Sequence, residues 1–316
     1  MIIQITEVDH GKRIEDIIKT SFPGVTNQVL KNYFLEGLFI YDGKKAKWGD
    51  RVRRNTEVVF EKPPPADNLW HPSTDNAPDL VVVFEGKNFM VIDKPPGLPT
   101  LPRIPSDHPT LAGSVTKAQP ALIKTLKLPR EAGIVNRLDN NTSGLILVGL
   151  SEQIIELYRK YYANHHIEKE YYAIVSPPPR ENTWLDGAVV SPSGSRDYVD
   201  YTPNNDDEGR RCVSKLEIIS TSRNFSLVRV LTRYGRRHQV RVQLASIGSP
   251  IIGDLVYGGI SVPDFKHHFL WARSIDIPDL DHHKDAKRRL IITSCYLDPS
   301  WHSTAKSLGF QAFLPV

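Results

Sequence analysis

The chain has 316 residues, of which 40% are apolar and 24% charged, with a formal net charge of +4. That length predicts a large domain with a smaller companion, and the usage is that of a globular protein, which excludes a fibre or a disordered chain. No window approaches the roughly 20 apolar residues of a membrane span. Met1 to Thr6 reads as a short alternating strand and not as a secretory leader, so the cytoplasm is the expected location. Cys212 and Cys295 stand far apart and build neither a disulfide framework nor a zinc ribbon; both are read as small buried side chains.

Residues 12 to 61 read as two short helices followed by a small sheet. Ile14, Ile17 and Ile18 make an apolar stripe, Pro23 and Gly24 break the first helix, and Thr26 caps a second that carries Leu30, Tyr33 and Phe34 and stops at Gly37. Leu38 to Tyr41 is a predicted strand, Asp42-Gly43 a hairpin turn, and Val52 and Val58 to Phe60 supply further strand residues. From Lys44 to Arg54, six basic residues (Lys44, Lys45, Lys47, Arg51, Arg53, Arg54) face the single acid Asp50. This order resembles the S4-type RNA-binding module, with Glu36-Gly37, Asp42-Gly43-Lys44 and Gly49-Asp50 at its usual places.

Residues 63 to 78, rich in proline, predict an extended linker. Leu80 to Phe84 and Phe89 to Ile92 then read as a hairpin turned at Gly86-Lys87-Asn88. Further strands are predicted at Ile134 to Leu138, Leu145 to Leu150, Ile167 to Val175, Phe225 to Thr232 and Leu290 to Ser294, with only a few helical stretches between them. The expectation is an α+β domain from residue 79 to the end, built on a largely antiparallel mixed sheet with helices and loops around a central cleft, preceded by a small α/β module over 1–62. No internal repeat is visible.

The sharpest segment runs from Gly133 to Leu147, where two apolar runs flank Asp139-Asn140-Asn141-Thr142-Ser143-Gly144. A lone Asp there would be read as a turn cap accepting backbone N–H groups. The whole string, Asn136-Arg137-Leu138-Asp139-Asn140-Asn141-Thr142-Ser143-Gly144-Leu145, closely resembles the His-Arg-Leu-Asp-x-x-Thr-Ser-Gly-Leu motif of the RluA-type pseudouridine synthases. Four more segments match that family in order: Val91 to Gly97, Lys169-Glu170-Tyr171, Gly235-Arg236-Arg237-His238-Gln239-Val240-Arg241, and Pro250 to Asp254 with Tyr257-Gly258. Asn136 stands where many members have His, and Tyr234 where Thr is frequent.

The resemblance implies an RNA-modifying enzyme. Turning uridine into pseudouridine breaks the N1–C1′ bond and joins C5 to C1′, work suited to a carboxylate that forms and releases a covalent adduct, here Asp139. Attack on C1′, addition to the base and removal of a sugar proton all remain open to it. A carboxylate charged in a dry pocket needs a fixed cation, a role the family places at Arg236. Lys169 and Tyr171 share one strand face; Tyr171 is expected to lie over the uracil and take part in proton transfer, and Lys169 to brace the pocket. Val240 is the expected apolar wall and Leu244, one helical turn on, a core anchor. Arg137 resembles the arginine that fills the gap left by an extracted base. Asn136, Arg237 and Arg241 complete the expected substrate-binding set.

Five arginines and no acid between Arg229 and Arg241 add to the reading of phosphate contact. The pairs His165-His166, His267-His268 and His282-His283 lack metal-ligand spacing, so no metal is expected, and without a phosphate loop or dinucleotide fingerprint no cofactor is implied. The expected partner is ribosomal or transfer RNA, with no membrane, no obligate protein partner and a monomeric state. A non-catalytic RNA-binding protein would have lost Asp139, Tyr171 and Arg236, and a glycoside hydrolase would need a second acid beside Asp139.

Overall fold

The computed structural model describes all residues except 23–24, 65–69, 104–106, 193–197, 205–209, 264, 283–287, 296–298 and 311–316. Pro23 and Gly24, part of the 63–78 linker and His283 lie outside the described residues.

The N-terminal unit consists of β1 (Ile2–Gln4), α1 (Ile14–Ser21), α2 (Asn27–Glu36), β2 (Ile40–Tyr41), β3 (Lys44–Lys45) and β4 (Glu57–Val59), with strand order β1-β4-β2-β3. Its helices follow the apolar stripes: Ile14, Ile17, Ile18 and Leu30 are buried in a cluster with Phe34, Phe39, Val58 and Phe60. The Thr26 hydroxyl caps α2 by accepting from Val29 N, and Gly37 ends it in the left-handed region. Asp42 and Gly43 both have positive φ, which a two-residue turn matched to strand twist requires, and they set Tyr41 opposite Lys44. The strand expected over Leu38 to Tyr41 is shorter, because Phe39 is fully buried ahead of it. All six cations from Lys44 to Arg54 are exposed.

The larger unit holds β5 (Val81–Glu85), β6 (Phe89–Lys94), α3 (Leu111–Ala118), α4 (Pro120–Ile123), β7 (Ser143–Gly149), α5 (Glu152–Ala163), β8 (Glu168–Val175), β9 (Thr183–Val190), β10 (Asp200–Pro203), β11 (Arg211–Ser222), β12 (Phe225–Thr232), α6 (Gln239–Ser246), β13 (Leu270–Pro278), β14 (Arg289–Thr293) and α7 (Pro299–Ser307). Its sheet runs β10-β9-β11-β12-β8-β13-β7-β6-β5, with β14 also on β13. Every pairing is antiparallel except that of β13 with β7, so the sheet is mixed and largely antiparallel as expected.

Strands β6 and β7 are buried along their whole length because both faces are covered. Met90, Ile92, Ile146 and Val148 join the core under α3, while Phe89, Val91, Leu145 and Leu147 pack with Tyr158 of α5. Strand β8 alternates from Glu168 to Ala173, where one face is covered more fully than the other, and is buried on both faces at Ile174 and Val175. Lys169, Tyr171 and Ala173 point inward; Glu170 turns outward to pair with Arg229 of β12 and Arg273 of β13.

Three expectations are corrected. Ile134 to Leu138 is not a strand: Ile134 makes one bridge to Val148, after which the Asn136 side chain takes over, accepting Leu147 N–H at 2.8 Å and donating to Leu145 O at 3.4 Å. A side chain thereby occupies the place of a strand backbone, and residues 137 to 139 leave the sheet. Cys295 is exposed, whereas Cys212 is buried as expected. The run of arginines is not uniformly open to phosphate, since Arg229, Arg233 and Arg241 are ion-paired with acids distant in sequence.

Gly144 has φ +114°, and a Cβ on it would collide with the backbone of Ala272 across the parallel pairing. Gly144→Ala should lower the urea midpoint by the equivalent of about 3 kcal/mol or more, from left-handed strain and overpacking together. An unshifted midpoint would show that β7 and β13 can part there without loss.

Candidate active site

Residues 137 to 142 form the loop that enters β7, and it is held from below by a buried cation. Lys94, at the end of β6, is fully buried and its ammonium donates to three carbonyls, Pro95 O, Leu98 O and Asn140 O, at 2.8 to 2.9 Å. Burial pushes this amine down to about 7, against the opposing pull of the Asp139 and Asp93 charges. Thr100 Oγ1 donates to Leu138 O, and Thr142 N–H donates back to Asp139 O. His268 Nε2 meets Thr142 Oγ1 at 2.8 Å, and burial lowers this histidine to about 3, so it is a neutral brace. His267 Nδ1 lies 3.1 Å from Asn141 Oδ1.

Above this loop lies an open cleft. Arg137, Leu138, Asp139 and Thr142 form one side; Tyr171 of β8 and Leu270 of β13 form the back; Tyr234, Gly235, Arg236, His238, Val240 and Arg241 close the other side. The Asp139 side chain is 24% exposed and its Oδ2 accepts from Arg241 Nη1 at 2.9 Å. Arg241 projects from α6 and is itself clamped by Asp254, which accepts from Nε at 2.6 Å and from Nη2 at 2.8 Å. The Tyr257 ring lies against the guanidinium, 5.1 Å from its centroid. Burial opposes the charge on Arg241, but the bonds to Asp254 and the charge of Asp139 outweigh it and hold the guanidinium above its ordinary value.

The expected site residues therefore divide. Asp139, Tyr171, Arg236, Arg137, Val240 and Arg241 converge on the cleft. The cation bonded to Asp139 is Arg241 and not Arg236. His238 has φ +53° and reverses the chain just before α6, which turns Arg241 inward on the first helical turn and leaves Arg236 half-buried at the rim, its Nε donating to Arg211 O at 3.3 Å. Asn136 is buried in its bonds to β7 and Arg237 is exposed; neither lines the cleft.

Lys169 donates to Tyr234 O and lies over the Tyr162 ring, bracing the segment that carries Gly235 and Arg236 from behind. Burial lowers its amine to about 7. Tyr171 is raised by burial and by the Asp139 charge, so its hydroxyl keeps its proton at neutral pH. Leu244 is fully buried in the core, as its helical spacing predicts. Lys94, Asp254, Tyr257 and His238 were given no role from the sequence, although each lies within a matched segment. For Lys94, Asp254 and Tyr257, though not for His238, the available signal is an ionisable residue next to a motif proline or glycine.

Among the described residues, no group of three or more His, Cys, Asp or Glu is placed to hold a metal ion. No described helix is long and apolar enough to cross a membrane.

Comparison with known proteins bears on the same segments. Residues 88–246 match the family model for RNA pseudouridylate synthase. The chain is 31% identical over 257 residues to a ribosomal large subunit pseudouridine synthase D of Zymomonas mobilis, covering 81% of this chain and 80% of that protein. It is 29% identical to the protein of the same name from Pseudomonas aeruginosa, over 79% of this chain and 74% of the relative. Among solved structures, human RNA pseudouridylate synthase domain containing 4 shares the fold, with a TM-score of 0.56 at 20% identity, covering 72% of this chain and 92% of that one. The matched region holds the Asp139 loop, Tyr171 and Arg241 alike, and the chain belongs to the RNA pseudouridylate synthase family, of the RluA type.

Proposed function

We propose that this protein isomerises specific uridines of a structured ribosomal or transfer RNA to pseudouridine, with the Asp139 carboxylate as nucleophile. The observation that carries this reading is the Asp139–Arg241 ion pair at the floor of a cleft backed by Tyr171. In the overall reaction the N1–C1′ bond breaks and C5 bonds to C1′, while C5 loses a proton and N1 gains one. Asp139 supplies the electron pair that holds the sugar or base while the uracil turns. Arg241 keeps that carboxylate charged in a desolvated site, and Asp254 holds Arg241 still.

Tyr171, protonated and buried, stacks on the uracil and offers its hydroxyl to the base. Val240 supports the uracil from the helix side. Arg137, exposed at the mouth of the cleft, fills the gap in the RNA from which the uridine was drawn. Several relatives carry names that refer to the large ribosomal subunit, which favours ribosomal over transfer RNA. The exposed cations from Lys44 to Arg54 give the N-terminal unit the surface of an S4-type RNA-binding module. The reading includes a monomeric, cytoplasmic enzyme that works without a cofactor.

Asp139→Asn should fold normally and bind RNA with unchanged affinity, yet lose at least about a thousandfold in single-turnover rate, since the amide keeps the shape without the nucleophile. In the same tritium-release assay Tyr171→Phe should bind normally and turn over more slowly. Activity of Asp139→Asn within tenfold of the parent rejects the assignment. Arg137→Ala should lose far more activity on a folded stem-loop than on an unstructured oligonucleotide with the same uridine, because extraction costs a few kcal/mol only where the base is stacked or paired. Equal losses on both would make Arg137 a brace of the cleft. Removal of residues 1–62 should weaken RNA binding and flatten its salt dependence while leaving chemistry on saturating RNA intact; an unchanged salt titration would show that the cluster from Lys44 to Arg54 does not touch phosphate.

A further inference from the structure

The two oxygens of Asp139 have different surroundings. Oδ2 is held by Arg241, whereas Oδ1 accepts no hydrogen bond among the described residues and faces His238 Nε2 at 3.8 Å. That separation is too long for a hydrogen bond. His238 is nevertheless fixed in place. Its backbone is the left-handed residue before α6, its ring stands edge-on to Tyr257 with centroids 5.7 Å apart, and its Nδ1 lies 2.9 Å from the Tyr257 hydroxyl.

The tyrosine decides which nitrogen carries the proton. Tyr257 Oη accepts Val199 N–H at 2.9 Å and has its own proton to donate, for which His238 Nδ1 is the acceptor in reach among the described residues. The ring is then the Nε2–H tautomer, with that N–H turned to Oδ1. The charged groups acting on it are Asp139, Arg241, Arg237 and Asp254; burial is the largest influence and lowers its proton affinity, which keeps the ring neutral.

We propose that His238 is a positioning residue whose Nε2–H, oriented by Tyr257, hydrogen-bonds Asp139 Oδ1 when negative charge returns to that oxygen. The inference rests on Asp139 being the nucleophile. In attack, Oδ1 gives an electron pair to C1′ and loses its charge while the N1–C1′ bond breaks and its pair leaves with the uracil. In breakdown, C5 of the turned uracil gives a pair to C1′ as the Oδ1–C1′ bond cleaves and its pair returns to Oδ1; C5 then loses its proton and N1 gains one, and no proton passes to or from His238. At rest the gap leaves Oδ1 unblunted for attack. During breakdown Oδ1 is the leaving group, and an aligned donor lowers the barrier to its departure.

His238→Asn tests this, because asparagine tolerates left-handed backbone but is too short to carry an N–H to Oδ1. The expected result is a kcat reduced by about 10- to 100-fold with KM within about twofold. Tyr257→Phe keeps the ring beneath Arg241 and removes only the hydroxyl, and should lower kcat by a smaller factor in the same direction. Nitrogen-15 NMR of histidine-labelled parent enzyme, assigned by loss of the signal in His238→Asn, should show a protonated Nε2 and a bare Nδ1, and Tyr257→Phe should give a mixture of tautomers. An Nδ1–H tautomer in the parent, or a His238→Asn kcat within twofold of it while Asp139→Asn is dead, overturns the role of His238 alone. Activity in Asp139→Asn instead removes the nucleophile on which the inference stands.

Discussion

A guanidinium removed from water is tolerable only when its charge and its N–H groups are met, and the Arg241 side chain, 7% exposed, meets them with two carboxylates. Asp254 takes two of its N–H groups in a fork-to-fork pair, the geometry that fixes orientation as well as charge. The third direction is left for Asp139. Because Asp254 already balances the charge, Asp139 is held by a cation without being wholly neutralised by it. The helix position, the left-handed turn before it and the loop that carries Asp254 all serve this one alignment.

The opposite wall depends on a second buried cation. Lys94 binds three carbonyl dipoles and no carboxylate, so it ties the end of β6 to the Asp139 loop through backbone alone. Thr100, Thr142, His267 and His268 add bonds on the remaining sides. A loop that leaves the sheet would ordinarily move on fast timescales. Here the carbonyls of Leu138, Asp139 and Asn140 all accept hydrogen bonds, which brace the segment that carries the carboxylate.

Legibility followed the range of the forces involved. Alternation along β8 placed Lys169 and Tyr171 inside, and helical spacing placed Val240 at the cleft and Leu244 in the core, because burial of a face is local information. Asp139 stands out because its loop is a contiguous string. The partner of Asp139 does not: Arg236 and Arg241 lie five residues apart in a run of basic residues, and only the reversal at His238 decides which faces inward. The sequence pattern places Asn136 on a strand near substrate, whereas its amide replaces a strand backbone, a substitution that periodicity does not register. Lys94 reaches Asn140 46 residues on, and Asp254 and Tyr257 meet Arg241 and His238 13 and 19 residues before them, separations that no helix or strand period encodes.

Among the described residues, the cluster that ends at Phe60 shares no buried side chain with the others, which begin at Phe89, Met90 and Val189. Changes in packing at distant sites with no shared partner act independently. The first 60 residues are thus free to drift, shrink or be exchanged over evolutionary time without disturbing the register of the sheet that holds Asp139. The two units can consequently change at different rates within a single polypeptide.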